Sequence, residues 1–428
     1  MEKEQKKTKM VLSGRKIVIM FSLGFAQSII FLMPYINYGF YKPLQESLNC
    51  SNAQIGFLMT LMGIIEIISF FPGGWLADKF NPKKLIIIGL MATGICTLIC
   101  AFVMKYAVYC VMWVVMAFAG DLLYWSSGMK SVRSSADADE QGKAYGYFYF
   151  FNNMTGTLVN AIGTALVAAV GALVLGFRYF IIFLGAMDFV AALVIWWLLP
   201  RPSTQGANAG GTNERKISIK DLKVILRRKE TWLFSIIVFC LYTMLSAPSY
   251  FTPYFSDVMG LSVASAAAVY VITGPVSAFL GPIMGTFSDW IGSTLRTIVI
   301  VMIIVLLLVS FLLVYSGTLS LAVAIVIDVV LTAFTTGIYS IGFSSLEETG
   351  MDRQLSGSCI GLASIIGYCP DVFMFTIFGN WLDNYGNAGY TKIFGYCDVV
   401  TLIAIIAAAV LYAKVKKTKN AKNNAKAI

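Results

Sequence analysis

The chain has 428 residues, of which 58% are hydrophobic and 13% are charged, and its mean hydropathy is +0.76. Soluble globular proteins carry roughly 25% charged residues, so this composition excludes an ordinary soluble protein and indicates a membrane protein. The chain has no histidine, and its eight cysteines form no CxxC pair. These counts exclude a histidine proton relay and argue against a zinc site or a disulfide framework.

Twelve apolar segments follow one another, each long enough to cross roughly 30 Å of hydrocarbon as a helix. Barrel strands would be about ten residues long and would alternate apolar with polar residues, which these segments do not. The predicted spans cover residues 16–38, 53–77, 85–104, 106–129, 142–168, 177–199, 232–256, 262–287, 295–315, 319–342, 356–380 and 391–413. We therefore predict an all-α protein with twelve transmembrane helices, located in the cytoplasmic membrane.

Basic residues predict the orientation of these spans. If the N-terminus is cytoplasmic, 28 of the 32 Lys and Arg residues lie on the inner side, and Lys42, Lys105, Arg178 and Lys392 lie outside. Both termini are therefore predicted to be cytoplasmic. The net charge of +10 is explained by topology and by attraction to anionic lipid, and it is weak evidence for nucleic-acid binding.

The longest polar segment, residues 200–231, separates six spans from six. It begins with PRPSTQGANAGGTNERK, which is typical of a flexible linker. In the following ISIKDLKVILRRKETW, Leu222, Ile225 and Leu226 share one helical face with basic residues opposite, which predicts a helix lying on the membrane surface. The predicted domains are a six-helix bundle (1–199), the linker (200–231), a second six-helix bundle (232–413) and a basic cytoplasmic tail (414–428).

Three sequence pairs recur in the two halves. GGWLADKFNPKK and GTFSDWIGS each place a glycine four residues before an aspartate, Asp78 and Asp289, 211 residues apart. DEQGKAYG and QLSGSCIG are offset by 215 residues, and LMPYINYGFY and SAPSYFTPYF by 214. Because the offsets agree and each pair occupies the same span boundary, we predict two pseudo-symmetric bundles.

The pattern G-x-L-x-D-[KR] between spans 2 and 3, echoed between spans 8 and 9, resembles the signature loop of the major facilitator superfamily. Asn81 and Pro82 depart from that signature, and Trp290 stands at the basic position of the second copy. Span 5 lacks the Gly-Pro-x-x-Gly-Gly pattern of the drug/proton antiporter branches. The EQGKAYG run and the sequence of span 11 are similar to organic-anion, organophosphate and nitrate/nitrite branches.

The resemblance implies a secondary transporter rather than an enzyme, in which two bundles rock about a central site near the midplane. It also implies that spans 1, 2, 4, 5, 7, 8, 10 and 11 line the cavity. The sequence has no Gly-x-x-x-x-Gly-Lys-Ser/Thr loop, so we expect an ion gradient to supply the energy. We expect no cofactor, no metal and a monomeric chain.

Ionisable residues inside the predicted spans carry the functional information. Each costs roughly 2.5–3.5 kcal/mol at a helix centre, so chance does not account for all of them. The six charged residues that lie away from the span ends are all acidic: Glu66, Asp121, Asp188, Asp328, Asp371 and Asp398. Each could instead be a protonated carboxyl that only joins two helices, an interpretation that we favour for Asp188 and Asp398 on the outer spans.

Helical spacing indicates which acids face the interior. Span 11 carries a polar and small stripe that includes Tyr368 and Asp371, and span 10 carries one from Asp328 to Tyr339. Pro370 removes a backbone N–H and is predicted to leave the Ile366 carbonyl without its helical partner, which is tolerated next to a cavity. The predicted cavity residues are Asp371, Asp328, Glu66, Asp121, Tyr368, Tyr38, Tyr339, Asn153 and Tyr250.

A buried acid that is wetted from alternate sides can bind a proton on one side and release it on the other. We therefore predict proton coupling through Asp371 or Asp328. By resemblance, Asp78 and Arg133 are predicted to brace a cytoplasmic gate, with Asp289 and Arg353 as a weaker copy; topology and helix capping are the alternative explanation.

The predicted cavity contains no Lys or Arg at mid-membrane, and a multivalent anion would be repelled by its carboxylates. The sequence favours symport of a neutral or zwitterionic metabolite or of a monocarboxylate. An anion carrier of the organophosphate or nitrate type stays open and would require Lys130 or Arg178 to reach the site. A transporter-like membrane sensor also stays open.

Overall fold

The computed structural model describes residues 12–137, 140–200, 225–351 and 353–426. Within these ranges the secondary structure is helical, and twelve stretches are long and apolar enough to cross a membrane. The predicted all-α class and the number of spans are confirmed.

Apart from the end of span 1, the first six spans begin and end close to the predicted residues. Span 4 is continuous but contains a π-helical turn, Phe118–Trp125. The helices are Gly14–Leu32 and Asn37–Leu48 (span 1), Asn52–Lys79 (span 2), Pro82–Phe102 (span 3), Tyr106–Ala117 and Ser126–Ser134 (span 4), Gln141–Val170 (span 5) and Leu173–Leu198 (span 6).

The last six spans include two that are interrupted. Span 7 passes through a short 3₁₀ turn at Ala247–Tyr250, and span 11 breaks before Pro370. The helices are Lys229–Ser246 and Phe251–Asp257 (span 7), Val263–Ile291 (span 8), Thr294–Tyr315 (span 9), Leu321–Gly342 (span 10), Arg353–Gly367 and Pro370–Tyr385 (span 11) and Ala388–Lys426 (span 12); Ser345–Glu348 forms one extra turn.

Asn81 and Pro82, which depart from the family signature, start the helix of span 3. The Asn81 side chain accepts a hydrogen bond from the Lys83 N–H over 3.0 Å. Pro82 occupies the first helical position, where its missing N–H costs nothing. The two residues thus form an N-terminal cap and preserve the turn between spans 2 and 3.

Span 1 is longer than predicted. The sequence places its end at residue 38, whereas helix continues from Asn37 to Leu48 after a short turn. Phe40, Tyr41 and Leu44 of this extension are buried, so packing stabilises a segment that local hydropathy leaves undecided.

Span 11 breaks at Tyr368 and Cys369, one residue before the proline that predicted a local loosening. As predicted, the Ile366 carbonyl lacks a helical partner at residue 370, and the Cys369 N–H donates to it instead over 3.2 Å. The Asp371 N–H similarly donates to the Tyr368 carbonyl. These shorter-range bonds satisfy the backbone and leave Pro370–Tyr385 as a separate helix.

The chain divides into two compact units. The first contains the described residues of 1–34, 68–162 and 178–211, and the second contains those of 35–67, 163–177 and 212–428. The predicted domain limits at 199, 231 and 413 stay predictions. Residues 201–224, with most of the predicted linker and Leu222 of the surface helix, lie outside the described residues.

Candidate functional site

Asp371 is a buried carboxyl group in the first turn of Pro370–Tyr385, within the second unit. Its exposed fraction is 0%. Tyr242 of span 7 donates its hydroxyl to Asp371 Oδ2 over 2.7 Å, whereas Oδ1 has no hydrogen-bond partner among the described residues. One oxygen is therefore fixed by a tyrosine, and the other can carry a proton or accept a donor from a solute.

Three tyrosine side chains cluster beside this carboxyl group. The rings of Tyr242 and Tyr368 meet edge to face with centroids 4.6 Å apart, and the ring of Tyr339 lies 5.9 Å from Tyr242. The hydroxyl oxygens of Tyr339 and Tyr368 are 2.8 Å apart, so that one donates to the other. Tyr368 and Tyr339, predicted from the stripes of spans 10 and 11, are thus brought together with Asp371.

Glu66, Tyr38 and Tyr250 belong to the same unit. Glu66 and Asp371 both interact electrostatically with Tyr38 and Tyr242. Tyr250 donates its hydroxyl to the Phe375 carbonyl over 2.9 Å and stacks on the Phe375 ring. The first two predicted residues therefore extend the acidic and aromatic cluster, while the contacts of Tyr250 hold span 7 against span 11.

Asp328 is buried but has a different environment. The described hydrogen bond of its carboxyl group comes from Thr332, one turn along the same span, over 3.1 Å. Among the described residues, no hydrogen bond or ion pair joins Asp328 to Asp371. The geometry therefore distinguishes two acids that the sequence weighted equally.

Asp121 and Asn153 lie in the first unit. Asp121 is half-buried in the π-helical turn of span 4, an element that often marks functional positions. Asn153 is exposed on span 5. Nearby, Tyr124 donates its hydroxyl to the Leu23 carbonyl over 2.7 Å and so ties span 4 to span 1.

Spans 2 and 11 approach each other closely along a line whose end is predicted to face the cell exterior, and we call this line the outer seal. It consists of Asn52, Gly56, Thr60 and Gly63 of span 2, with Asp371, Phe375, Thr376, Gly379 and Asp383 of span 11. A methyl group on Gly56 would lie 2.2 Å from the Phe375 carbonyl oxygen, and one on Gly63 would lie 2.7 Å from Asp371 Cβ. The hydroxyl oxygens of Thr60 and Thr376 are 2.8 Å apart. Small residues thus let the two backbones meet.

Two acids at span ends, which the sequence did not single out, make extensive contacts. Asp383 accepts hydrogen bonds from the first N–H groups of span 2. Asp257 pairs with Lys42 over 2.7 Å and accepts a hydrogen bond from Tyr390 over 2.9 Å. Polar residues at span ends usually face water, so hydropathy gave no signal for either acid. Asp383 is recognisable as a helix cap only once spans 2 and 11 are placed together.

The predicted pair of Asp78 and Arg133 is not formed. Asp78 instead pairs with Lys130 over 2.7 Å, and Lys130 also donates to the Ala77 carbonyl. Lys130 lies one turn earlier on the helix, where its long side chain reaches the last turn of span 2. Among the described residues no ion pair joins Arg133 to Asp78.

The second predicted pair is only partly described. Asp289 is exposed at the end of span 8, and the side chain of Arg353 lies outside the described residues. Glu348 contacts this loop instead, because it accepts hydrogen bonds from Ser293 and from the Leu295 N–H at the start of span 9. Sequence reasoning missed Glu348, which sits in a polar turn without a recognisable motif.

Curated relatives cover most of the chain. The chain is 24% identical to the inner membrane protein YihN of Escherichia coli over 428 residues, covering 96% of this chain and 98% of YihN. It is 24% identical to the inner membrane protein YqcE of the same organism, covering 87% and 88%. A shorter match, 30% identical over 38% of this chain and 36% of the relative, is to the E. coli membrane sensor protein UhpC.

Solved structures share the fold at low sequence identity. A structure of the nucleoside transporter NupG covers 93% of this chain and 99% of its own, with a TM-score of 0.72 and 14% identity. A D-xylose-proton symporter covers 93% and 96%, with a TM-score of 0.67 and 13% identity. The sequence profile of the Major Facilitator Superfamily matches residues 18–373. With twelve membrane-spanning helices among its described residues and with homologous inner membrane proteins, this multi-pass protein of the cell membrane belongs to the major facilitator superfamily.

Proposed function

We propose that the chain is a secondary active transporter that moves a small organic solute by alternating access, in symport with protons. The observation that carries the proposal is Asp371: a fully buried carboxyl group, held through one oxygen by Tyr242, with its other oxygen unpartnered among the described residues. Burial disfavours the charged form of a carboxyl group, so binding and release of a proton there can be linked to a change in access.

The surroundings of Asp371 favour a neutral or zwitterionic solute, or a monocarboxylate that arrives with a proton. Tyrosine rings supply apolar faces together with hydroxyl donors and acceptors, which suits a small polar metabolite. The described hydrogen bonds and ion pairs of Asp371 include no lysine or arginine. One solved structure that shares the fold is a D-xylose-proton symporter, so this fold can support symport of a small polar solute with protons.

The anion-carrier alternative receives less support. It needs Lys130 or Arg178 at the site, yet Lys130 pairs with Asp78 and Arg178 donates to the Met104 sulfur over 3.7 Å. A membrane sensor is the second candidate, and the partial similarity to UhpC favours it. The two functions differ in one measurable property, since a sensor binds its ligand without moving it across the bilayer.

The first prediction tests proton coupling. A solute would be identified by ligand-induced thermal stabilisation of the purified protein at pH 6 and pH 8. In proteoliposomes, Asp371→Asn is expected to reduce proton-driven accumulation of that solute at least tenfold while solute exchange at equal pH persists, because the amide cannot carry the proton.

Asp398→Asn is the matched control. Asp398 is another acid within a span, and its carboxyl group accepts a hydrogen bond from Ser310 over 3.0 Å. We expect this variant to keep accumulation within about twofold of the original chain. Full proton-driven accumulation by Asp371→Asn would refute coupling through Asp371, and binding without any transport by the unchanged chain would favour the sensor.

A further inference from the structure

Asp383 makes an unusual helix cap, because it lies 331 residues away from the helix that it caps. Its Oδ1 accepts hydrogen bonds from the Asn52 N–H and from the Asn52 side-chain amide, both over 2.9 Å. Its Oδ2 accepts one from the Ala53 N–H over 2.8 Å. A carboxylate at this position satisfies the first free N–H groups of span 2 and interacts favourably with the positive end of its dipole.

The capped residue extends the contact to a third span. Asn52 Oδ1 accepts hydrogen bonds from the Tyr41 hydroxyl and from the Gln45 side-chain amide, each over 3.0 Å. Tyr41 and Gln45 belong to the helix Asn37–Leu48 of span 1. Through Asn52, the carboxyl group of Asp383 therefore joins the ends of spans 1, 2 and 11.

The cap continues the outer seal. Asp371, Phe375, Gly379 and Asp383 recur every four residues along one face of Pro370–Tyr385. A methyl group on Gly379 would lie 2.3 Å from the Asn52 carbonyl oxygen, so the face stays in backbone contact with span 2 from Gly63 to Asn52. The far end of the helix that carries Asp371 is thus bound to the start of span 2 by Asp383.

We infer that Asp383 is a latch: its bonds to the start of span 2 hold the outer seal closed, and their rupture uncovers Asp371 from that end. The charge distribution predicts that this end faces the cell exterior. The inference rests on the alternating access proposed above, since a site reached from both sides needs a contact that breaks on each side. Asp383 acts on Asp371 through the position of a helix, so it is a positioning residue.

Hydrogen–deuterium exchange of the full chain in lipid nanodiscs tests the latch without knowledge of the solute. Asp383→Ala is expected to shift the ratio of open to closed outer ends by about fivefold, the factor equivalent to about 1 kcal/mol of lost helix capping. Amides of residues 49–60 and 372–385 should then exchange faster. Asp383→Asn keeps one acceptor oxygen and should fall between Asp383→Ala and the original chain.

A second readout separates a latch from a simple cap. If the outer end opens as part of alternating access, residues at the opposite end of the spans, such as 343–351, should exchange more slowly in Asp383→Ala. Asn384→Ala is the matched control, because the Asn384 side chain donates to the Asn380 carbonyl of its own helix. That variant should leave both regions unchanged.

Faster exchange confined to residues 49–56, with no change at 343–351, would show that Asp383 only caps span 2 and would overturn the latch. Unchanged exchange in Asp383→Ala would overturn it as well. Neither result bears on proton coupling, which Asp371→Asn tests separately. Exchange could instead become faster at the outer end and slower at residues 343–351 in Asp383→Ala, while the original chain moves no solute. That result would support the latch and reject the transporter function.

Discussion

At the scale of single residues, ion pairs and a charged helix cap join the spans at the predicted outer end, whereas tyrosine rings and buried carboxyl groups form the candidate site. Lys42 and Asp257 are ion-paired with side chains 22% and 27% exposed, and Tyr390 donates to the second oxygen of Asp257. Because both side chains are partly exposed, water screens the attraction between their charges. The pair therefore contributes little to the free energy of unfolding.

A double-mutant cycle with Lys42→Met and Asp257→Asn measures that contribution. The coupling free energy is expected to be about 0.5–1 kcal/mol, which is the upper part of the range for partly exposed pairs. The Asn side chain can still accept the Tyr390 hydroxyl, so the cycle isolates the charge. Chemical unfolding of the purified protein gives the four stabilities. A coupling indistinguishable from zero would mean that Lys42 and Asp257 meet without stabilising the chain.

The sequence revealed the acids in apolar surroundings, and it revealed Asp78 and Asp289 through their repeated motif, but it did not reveal two other acids at span ends. Asp371 stands out because its neighbours are apolar, and the tyrosine stripes point to its face of the helix. Asp383 and Asp257 look like ordinary solvated residues in sequence. Their roles depend on contacts between distant segments, such as the 331 residues between Asn52 and Asp383, and no local periodicity encodes such a pairing.

At the scale of elements, the packing of span 2 against span 11 depends on glycine. Gly56 and Gly379 bring backbone against backbone, and Gly63 meets Asp371. Hydropathy predicted both spans, but it did not predict the extension of span 1 to Leu48 or the break at Tyr368. Tertiary packing stabilises the first, and the second follows from how the backbone near Pro370 regains its hydrogen bonds.

Gly56→Ala tests the seal as an element. The added methyl group would lie 2.2 Å from the Phe375 carbonyl oxygen, so one backbone must move, and overpacking of this kind costs about 1–3 kcal/mol. We expect a lower melting temperature. Gly395→Ala is the control, because its methyl group would lie 3.8 Å from the Leu313 side chain and should leave the melting temperature unchanged or slightly higher. Equal effects of the two substitutions would contradict the close approach.

At the scale of the whole molecule, the distribution of basic residues predicts the orientation of the chain in the membrane. Lys and Arg concentrate in alternate loops, and 28 of the 32 fall on one side of the predicted membrane. Positively charged loops are usually retained in the cytoplasm during insertion, so the same rule predicts the orientation of every span.

Reporter fusions test this orientation. A fluorescent reporter that folds only in the cytoplasm is expected to be bright when fused after residue 428, and a phosphatase that is active only outside should be active when inserted after residue 387, between spans 11 and 12. The opposite pattern of reporter activity would invert the molecule. The outer seal would then lie at the cytoplasmic end.

The break in span 11 has a mechanical consequence. From Pro370 to Asp383 the helix rises about 20 Å at 1.5 Å per residue. If this rod pivots at Tyr368 and Cys369, a tilt of about 10° moves its far end by about 3 Å, enough to separate a carboxylate from three donors at once. Asp371 lies next to this pivot and therefore moves little. A helix with the proposed proton-binding group next to its pivot can therefore release a distant contact through a small change in angle.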